Sequence, residues 1–436
     1  MFSLSQLIAS NVYFYNERWI QNKLRWFDEP QNWYGYSPFN VKIIDNDYFD
    51  HSFDVKSLSE FISYRTNIKY SNLIGETPYY NVNGQIYLYF SERFFIHNSF
   101  NFDNKMVANQ GSTTLEHESV GTWTGYLGNS TSNFVFENSY LIIGRANLPF
   151  KHFNQSLLIN GEIKPSELIY WHYLKRRFGY DWSIISLNKN DISNNLKRIL
   201  TMHRYSYNTD DFVIGLTEAA LFEYGTLGGD QLNYVFPSAI IFETEANQNL
   251  ANIFWVLDSY YNFSTSLSFF GELLIDDFSL DKLTPHKIAF QLGFQYDLEK
   301  IKIRTNYVRI NRWVGSYFDS DLIMIDSSIK IGHSIGPDSQ QFEFDLIYIP
   351  QENIFFEASF ELLNKGEGSI DEAHPVNSTS NYGYHNEKFP SGLDELIMKA
   401  SLNCELIFRE RYLFNINLNN LESNKTTSIL SVRRYF

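Results

Sequence analysis

From about Tyr79 onward, apolar and polar positions alternate with period two over most of the chain. Ile288, Phe290, Leu292, Phe294, Tyr296 and Leu298 stand opposite Ala289, Gln291, Gly293, Gln295 and Asp297. Phe356, Ala358, Phe360 and Leu362 oppose Glu357, Ser359 and Glu361, and Tyr412, Phe414, Ile416 and Leu418 alternate with Leu413, Asn415, Asn417 and Asn419. Successive side chains of a strand point to opposite faces. Each segment therefore carries one apolar face and one face of amides, carboxylates and small residues. In a soluble sandwich the apolar face is a core. In an outer-membrane barrel it meets lipid, and the polar face lines a wet lumen.

Connection lengths decide between these. Strands are expected at Gln85–Phe90, Phe94–Phe102, Phe134–Arg145, Leu168–Lys175, Trp182–Asn188, Arg198–Tyr207 and Phe212–Phe222. They continue at Ile253–Phe263, Leu267–Asp276, Ile288–Leu298, Ile301–Ile310, Phe342–Ile349, Ile354–Leu363, Leu396–Phe408, Tyr412–Leu418 and Thr426–Phe436. From residue 146 onward, short turns such as Ser264-Thr265, Glu299-Lys300 and Pro350-Gln351 alternate with the long loops Ala146–Glu167, Glu223–Asn252, Asn311–Gln341 and Asn364–Glu395. Short turns at one end and long loops at the other are the pattern of a transmembrane antiparallel β-barrel. The expectation is an all-β barrel of about 16–18 strands.

The first residues read differently. Val12, Tyr15, Trp19, Ile20, Leu24 and Phe27 approximate a helical stripe that ends before Pro30. Residues 1–58 are expected to form a short helical or irregular cap, with 59–436 as the barrel. Ser57–Ser71 fits a helical turn or a first strand equally. Met1–Ser10 has neither the basic start nor the apolar run of a secretory leader, so the sequence is expected to be a mature or trimmed form. The terminal strand ends on Phe436, which resembles the signal read by the barrel-assembly machinery. Arg434 breaks its apolar register, although an arginine at the membrane edge can snorkel to the headgroups.

Composition changes the picture little. Aromatic residues make up 17% of the 436, with 38 Phe, 30 Tyr and 8 Trp, which suits a barrel with aromatic girdles. A net charge of −15 without a basic stripe excludes nucleic acid as a partner. The one cysteine, Cys404, rules out an internal disulfide or a cysteine metal site, and its apolar register makes it a small buried hydrophobe. Neither a metal-ligand spacing nor a phosphate loop nor a nucleophile elbow is present, so no cofactor, metal or catalytic residue is expected.

Several segments resemble the Wzi family of capsule-assembly proteins. They are Leu141–Arg145 followed by Ser156-Leu157-Leu158; Gly215-Leu216-Thr217-Glu218 followed by Pro237, Glu245, Asn247, Glu272, Asp276 and Asp277; and Arg312-Trp313 followed by Gly332–Asp338 and Gly366-Glu367. Their succession covers about residues 80–370. The resemblance implies a barrel of about 18 strands in the bacterial outer membrane, with a small periplasmic helical element and an exterior that binds surface polysaccharide without turning it over.

The loops hold the candidate sugar contacts. Trp313, Tyr317, Asp319, Asp321, His333 and Asp338 set aromatic faces beside acceptors for hydroxyls, as sugar recognition requires. The structural alternative is a girdle tryptophan and a Gly336-Pro337 turn. Asp230 and Tyr234 in the 223–252 loop are further candidates, whether that loop folds inward as a plug or lies outside as a lid. Arg145, Arg204, Glu272 and Arg304 are expected to form a charge network in the lumen. Adjacent Asp276 and Asp277 point to opposite faces, which favours a wet strand end over a carboxylate pair for glycoside hydrolysis. A porin for small solutes shares every strand feature and differs only in its loops.

Overall fold

The computed structural model describes residues 56–59, 62–71, 79–91, 93–103, 117–120, 123–146, 156–159, 166–187, 197–224, 251–277, 286–317, 322–326, 329–351, 354–370, 388–408, 412–421 and 425–434. They form β1 (Lys56–Ser59), β2 (Ile62–Ser71), β3 (Tyr79–Ser91), β4 (Phe94–Asp103), β5 (His117–Val120), β6 (Trp123–Val135), β7 (Ser139–Ala146) and β8 (Ser166–Lys175). Next come β9 (Phe178–Leu187), β10 (Lys197–Asn208), β11 (Phe212–Tyr224), β12 (Ala251–Asn262), β13 (Leu267–Asp277), β14 (Lys287–Asp297) and β15 (Ile301–Ile310). The last are β16 (Ile325–Asp326), β17 (Ile329–Lys330), β18 (Ser339–Gln351), β19 (Ile354–Lys365), β20 (Glu395–Phe408), β21 (Tyr412–Leu421) and β22 (Lys425–Arg434).

Of the 20 strands in the main sheet, β1 and β5 are short side pieces, and the other 18 form a closed antiparallel ring. Sequential strands pair around it, with β4 joined to β6 and β15 to β18. The ring closes where Tyr70 and Ser71 of β2 meet Val432 and Ser431 of β22. The start of that edge of β2, Ile62–Tyr64, is taken by β1, with Lys56 opposite Tyr64. β16 and β17 pair separately within the 311–338 loop. Closure supplies every strand with two hydrogen-bonding neighbours, which is what a sheet surrounded by hydrocarbon requires.

The tight turns gather at one end and are held by their own backbone. Thr209 N donates to Phe212 O (2.8 Å), Phe263 N to Leu267 O (2.9 Å) and Leu298 N to Ile301 O (2.7 Å). This is the periplasmic end by the loop-length rule. Outward-pointing Phe90, Phe178 and Phe263 ring it, and Phe178 is 68% exposed although it lies in a strand. Leu216, Leu257, Leu292, Phe360 and Leu402 continue the exposed apolar face across the strands. Their neighbours Thr217, Asp258, Gln291 and Asn403 point inward and are buried.

Three expectations change. Phe134–Arg145 is not one strand: Phe136-Glu137-Asn138 is a turn between β6 and β7. β6 escaped notice because both its faces are polar, with Asn129, Thr131 and Asn133 inward and Ser130 and Ser132 outward. Residues 62–71 resolve as a strand, and with β6 they bring the ring to its full number. Cys404 keeps its apolar register but is half-buried, since its strand face looks outward. The helical stripe at 12–27 and the terminal Phe436 lie outside the described residues.

An outward position should reject charge far more than its inward neighbour. Leu402→Arg, at the middle of β20, is expected to cost about 2–4 kcal/mol, while lumen-facing Ser401→Arg costs much less. Reversible denaturant unfolding in lipid vesicles measures both; equal losses would contradict the assigned faces.

Candidate functional site

The long loops do not simply stand above the barrel. Residues 156–159 and most of 313–335 lie inside its extracellular half, where Leu157, Leu158, Ile159, Val314, Ile323, Met324, Ile331 and Ile335 are buried. They pack on inward-facing Leu200, Met202, Leu221, Phe254, Leu274, Val308 and Ile310 in one apolar cluster. The upper lumen is thus lined largely by apolar residues with a few polar side chains among them, while below it charged groups join a small apolar cluster of Val213, Tyr260 and Phe270. That division follows contact with the plug: dry loop side chains need a dry wall.

Strand side chains then hold the backbone of the plug. The Glu272 carboxylate of β13 accepts hydrogen bonds from Ser156 Oγ (2.6 Å), Leu157 N (2.9 Å) and Gln291 Nε2. Gln291 Oε1 accepts in turn from Asn306 Nδ2 (3.3 Å). Asp276 takes Gly315 N (2.7 Å), and Lys287 Nζ donates to Ser316 O (3.0 Å). Asn252 Nδ2 donates to Leu322 O (3.1 Å). Arg198, buried in β10, donates to Ile323 O (2.9 Å) and also to Ile325 O. Charge-assisted bonds to buried carbonyls and amides are stronger than neutral ones, and without them the loop backbone would be buried unsatisfied.

Below the plug lies a second buried network. Arg204 donates from Nε to Asp258 Oδ1 (2.9 Å), and its other terminal nitrogens reach Asp258 Oδ2 (2.6 Å) and Asp181 Oδ2 (3.4 Å). Asp181 Oδ1 also meets His172 Nδ1 (2.6 Å) and accepts from Tyr170 OH (2.7 Å). To reach Asp258 on β12 the guanidinium must cross β11, and it does so over Gly215, where a Cβ would strike it. The network staples β8, β9, β10 and β12 together.

A third set organises the extracellular loops. Asp338, buried at φ +56°, accepts Gly368 N (2.9 Å) and Ser391 Oγ (2.5 Å) on one oxygen and Ser391 N (2.9 Å) on the other. It fastens the 366–370 and 388–391 segments together. Arg309 lies 3.8 Å from the centre of the neighbouring Phe389 ring.

The structure sorts the sequence candidates sharply. Trp313 and His333 are buried in the plug, with Arg312 over the tryptophan ring at 4.8 Å, and Asp338 is the loop clamp. Tyr317 is half-buried and donates to Ala251 O (3.2 Å). Asp230, Tyr234, Asp319 and Asp321 lie outside the described residues. Arg204 and Glu272 stand in the lumen, as does Arg304, packed 5.0 Å from the Phe270 ring. Arg145 does not: its register is outward, with a loose ion pair to Glu167 at 3.8 Å. Arg145 shares the outward face of Leu141 and Ile143, four and two residues before it, while Ile142 and Ala146 point inward. Sequence reasoning missed Arg198, Asn252, Lys287, His172, Asp181 and Asp258. Their inward register beside apolar partners was the available signal. Among the described residues no group of three or more His, Cys, Asp or Glu is placed to hold a metal.

No protein-family model and no curated protein sequence matches the chain. Solved structures do. Wzi from Escherichia coli, described as a carbohydrate-binding β-barrel of the outer membrane involved in group 1 capsule assembly, superposes with TM-score 0.57 at 12% identity, over 86% of this chain and 84% of that one. OccK8 (OprE) from Pseudomonas aeruginosa gives TM-score 0.50 at 9% identity, over 86% and 98%.

His333 gives the plug a pH dependence. Burial first, and then the Lys330 ammonium, lower its imidazole from 6.5 to about 3. The folded plug thus holds the ring neutral. Stability is complete above pH 6.5 and falls by about 1.4 kcal/mol per pH unit toward pH 3, because the released ring binds the proton more tightly. Protection factors at 322–338, meaning exchange corrected for the intrinsic pH dependence of amide exchange, should fall over this range and should not in His333→Gln; equal pH dependence of protection in both would contradict it. By fold and by its lipid-facing band, the chain is a β-barrel of the bacterial outer membrane.

Proposed function

We propose that this barrel binds surface polysaccharide through its extracellular loops and helps to assemble or retain it at the cell surface, without turning it over. The observation that supports this most is the latched plug. A diffusion channel needs a free path, and here Arg198, Asn252, Glu272, Asp276 and Lys287 hold loop backbone across the extracellular half of the lumen. The same latch gives a rigid platform, which suits recognition by preorganisation. The similarity to the fold of a carbohydrate-binding barrel points the same way.

In this reading Asp319 and Asp321 of the 311–341 loop, and Asp230 and Tyr234 of the 223–252 loop, contact the glycan. Trp313, His333 and Asp338 support them from within. Individual contacts can be weak, because a repeating polymer engages many barrels at once.

Two measurements test the proposal. In a pull-down with the host's purified surface polysaccharide, the barrel should be retained, and Asp319→Ala with Asp321→Ala should weaken retention roughly tenfold, as loss of a charged hydrogen bond implies. Unchanged retention in the double variant would reject these residues, and no retention by the native barrel would reject the function. In planar bilayers the native protein should show no steady open conductance, whereas Glu272→Ala should show intermittent opening. A stable open pore in the native protein would instead establish a diffusion channel.

A further inference from the structure

A different feature sits on the lipid side of the barrel. The register across β6–β10 sets two rows of outward side chains one above the other. The upper row holds Ser130, Arg145 and Glu167 side by side, with Ser186 next along on β9. Two residues lower on β7, β8 and β9 stand Ile143, Ile169 and Ile184, paired in sequence, with Ser132 of β6 beside Ile143. Both rows line an open depression of about 620 Å³. It lies where Gly144, at φ +141°, bends β7 between them.

Height places this boundary in the membrane. On β9 the upper row at Ser186 is eight residues above Phe178 of the periplasmic ring. At a rise of about 3.3 Å per residue and a tilt of about 40°, that is roughly 20 Å, near the top of an apolar band about 25 Å tall. A polar row with an arginine thus meets the headgroups of the outer leaflet, and an isoleucine floor meets the chains below. Among the described residues Arg145 makes a loose 3.8 Å ion pair with Glu167, whose carboxylate is more than half exposed. A guanidinium offers five donors in a planar fork suited to a phosphate.

We propose that this depression is a binding site for a phosphorylated, multiply acylated glycolipid of the outer leaflet. Arg145 takes the phosphate, Ser130 and Ser186 face the sugar, and an acyl chain lies along Ile143, Ile169 and Ile184. Glu167 steadies the arginine along the rim and disfavours a second anion beside it.

Native mass spectrometry of the full barrel in mild detergent, offered purified bisphosphorylated lipid A, tests the site. One adduct per barrel is expected. Its occupancy should fall about tenfold in Arg145→Gln, as loss of a charge-assisted bond implies, and fall similarly in Ile184→Trp, which fills the floor. Both substitutions are on the outer surface, and a heat-modifiable shift on gels confirms that each variant is folded. Dephosphorylated lipid A should bind like the Arg145→Gln case. Equal occupancy in the native protein and Arg145→Gln would overturn the proposal, and equal binding of phosphatidylglycerol would overturn the glycolipid assignment.

Discussion

In hydrocarbon no water is available to a peptide group, so a sheet that crosses the membrane has to satisfy every N–H and C=O against another strand. Everything else in this protein follows from that requirement. It forces the ring to close at β2 and β22, through a short seam at Tyr70 and Ser71, while β1 pairs with the start of β2. Closure in turn gives each strand an inside and an outside, and the period-two alternation then decides what faces lipid. The cost of a misplaced polar group is greatest at mid-membrane, which keeps Leu257, Leu292, Phe360 and Leu402 on the outward face.

The inside is where the protein departs from a plain tube. Below the plug, charged groups stay buried because they are paired: Arg204 bridges Asp181 and Asp258, and Gly215 leaves the space it crosses. Breaking one partner of such a set is costly, since it strands a buried charge. Above that level the wall turns apolar and is filled by loop. There the polar side chains Arg198, Asn252 and Glu272 serve the loop backbone instead of each other. One lumen thus contains two solutions to burying polarity, one for strands and one for a plug.

A plugged barrel whose 366–370 and 388–391 segments are tied together fits the proposed role of holding a ligand on its outer side. Asp338 gathers these two segments, while the plug beneath is latched to four strands of the wall, β10, β12, β13 and β14. Rigidity lowers the entropy lost when a flexible polymer docks. The lipid-facing surface is equally differentiated, with hydroxyls and Arg145 above isoleucines on β6–β9.

Most of the barrel was legible in the chain, because lipid outside and polar groups inside impose opposite chemistries on alternate positions. Ile288–Leu298 and Phe356–Leu362 could hardly be read otherwise. The reading faltered where that contrast is missing: β6, with serine, threonine and asparagine on both faces, carries no visible period. The site was far less legible. Trp313 and His333 have the composition of an exposed loop, yet they belong to a dry interior. Nothing local distinguishes a loop that turns into the lumen from one that stands above it. The decision comes from partners distant in sequence, such as Glu272 with Ser156 and Arg198 with the carbonyls of Ile323 and Ile325. Sequence alone determined the strands, their faces and the lipid boundary, since these depend on period and solvent. Tertiary structure decided what fills the barrel, since that depends on contacts only a closed ring brings together.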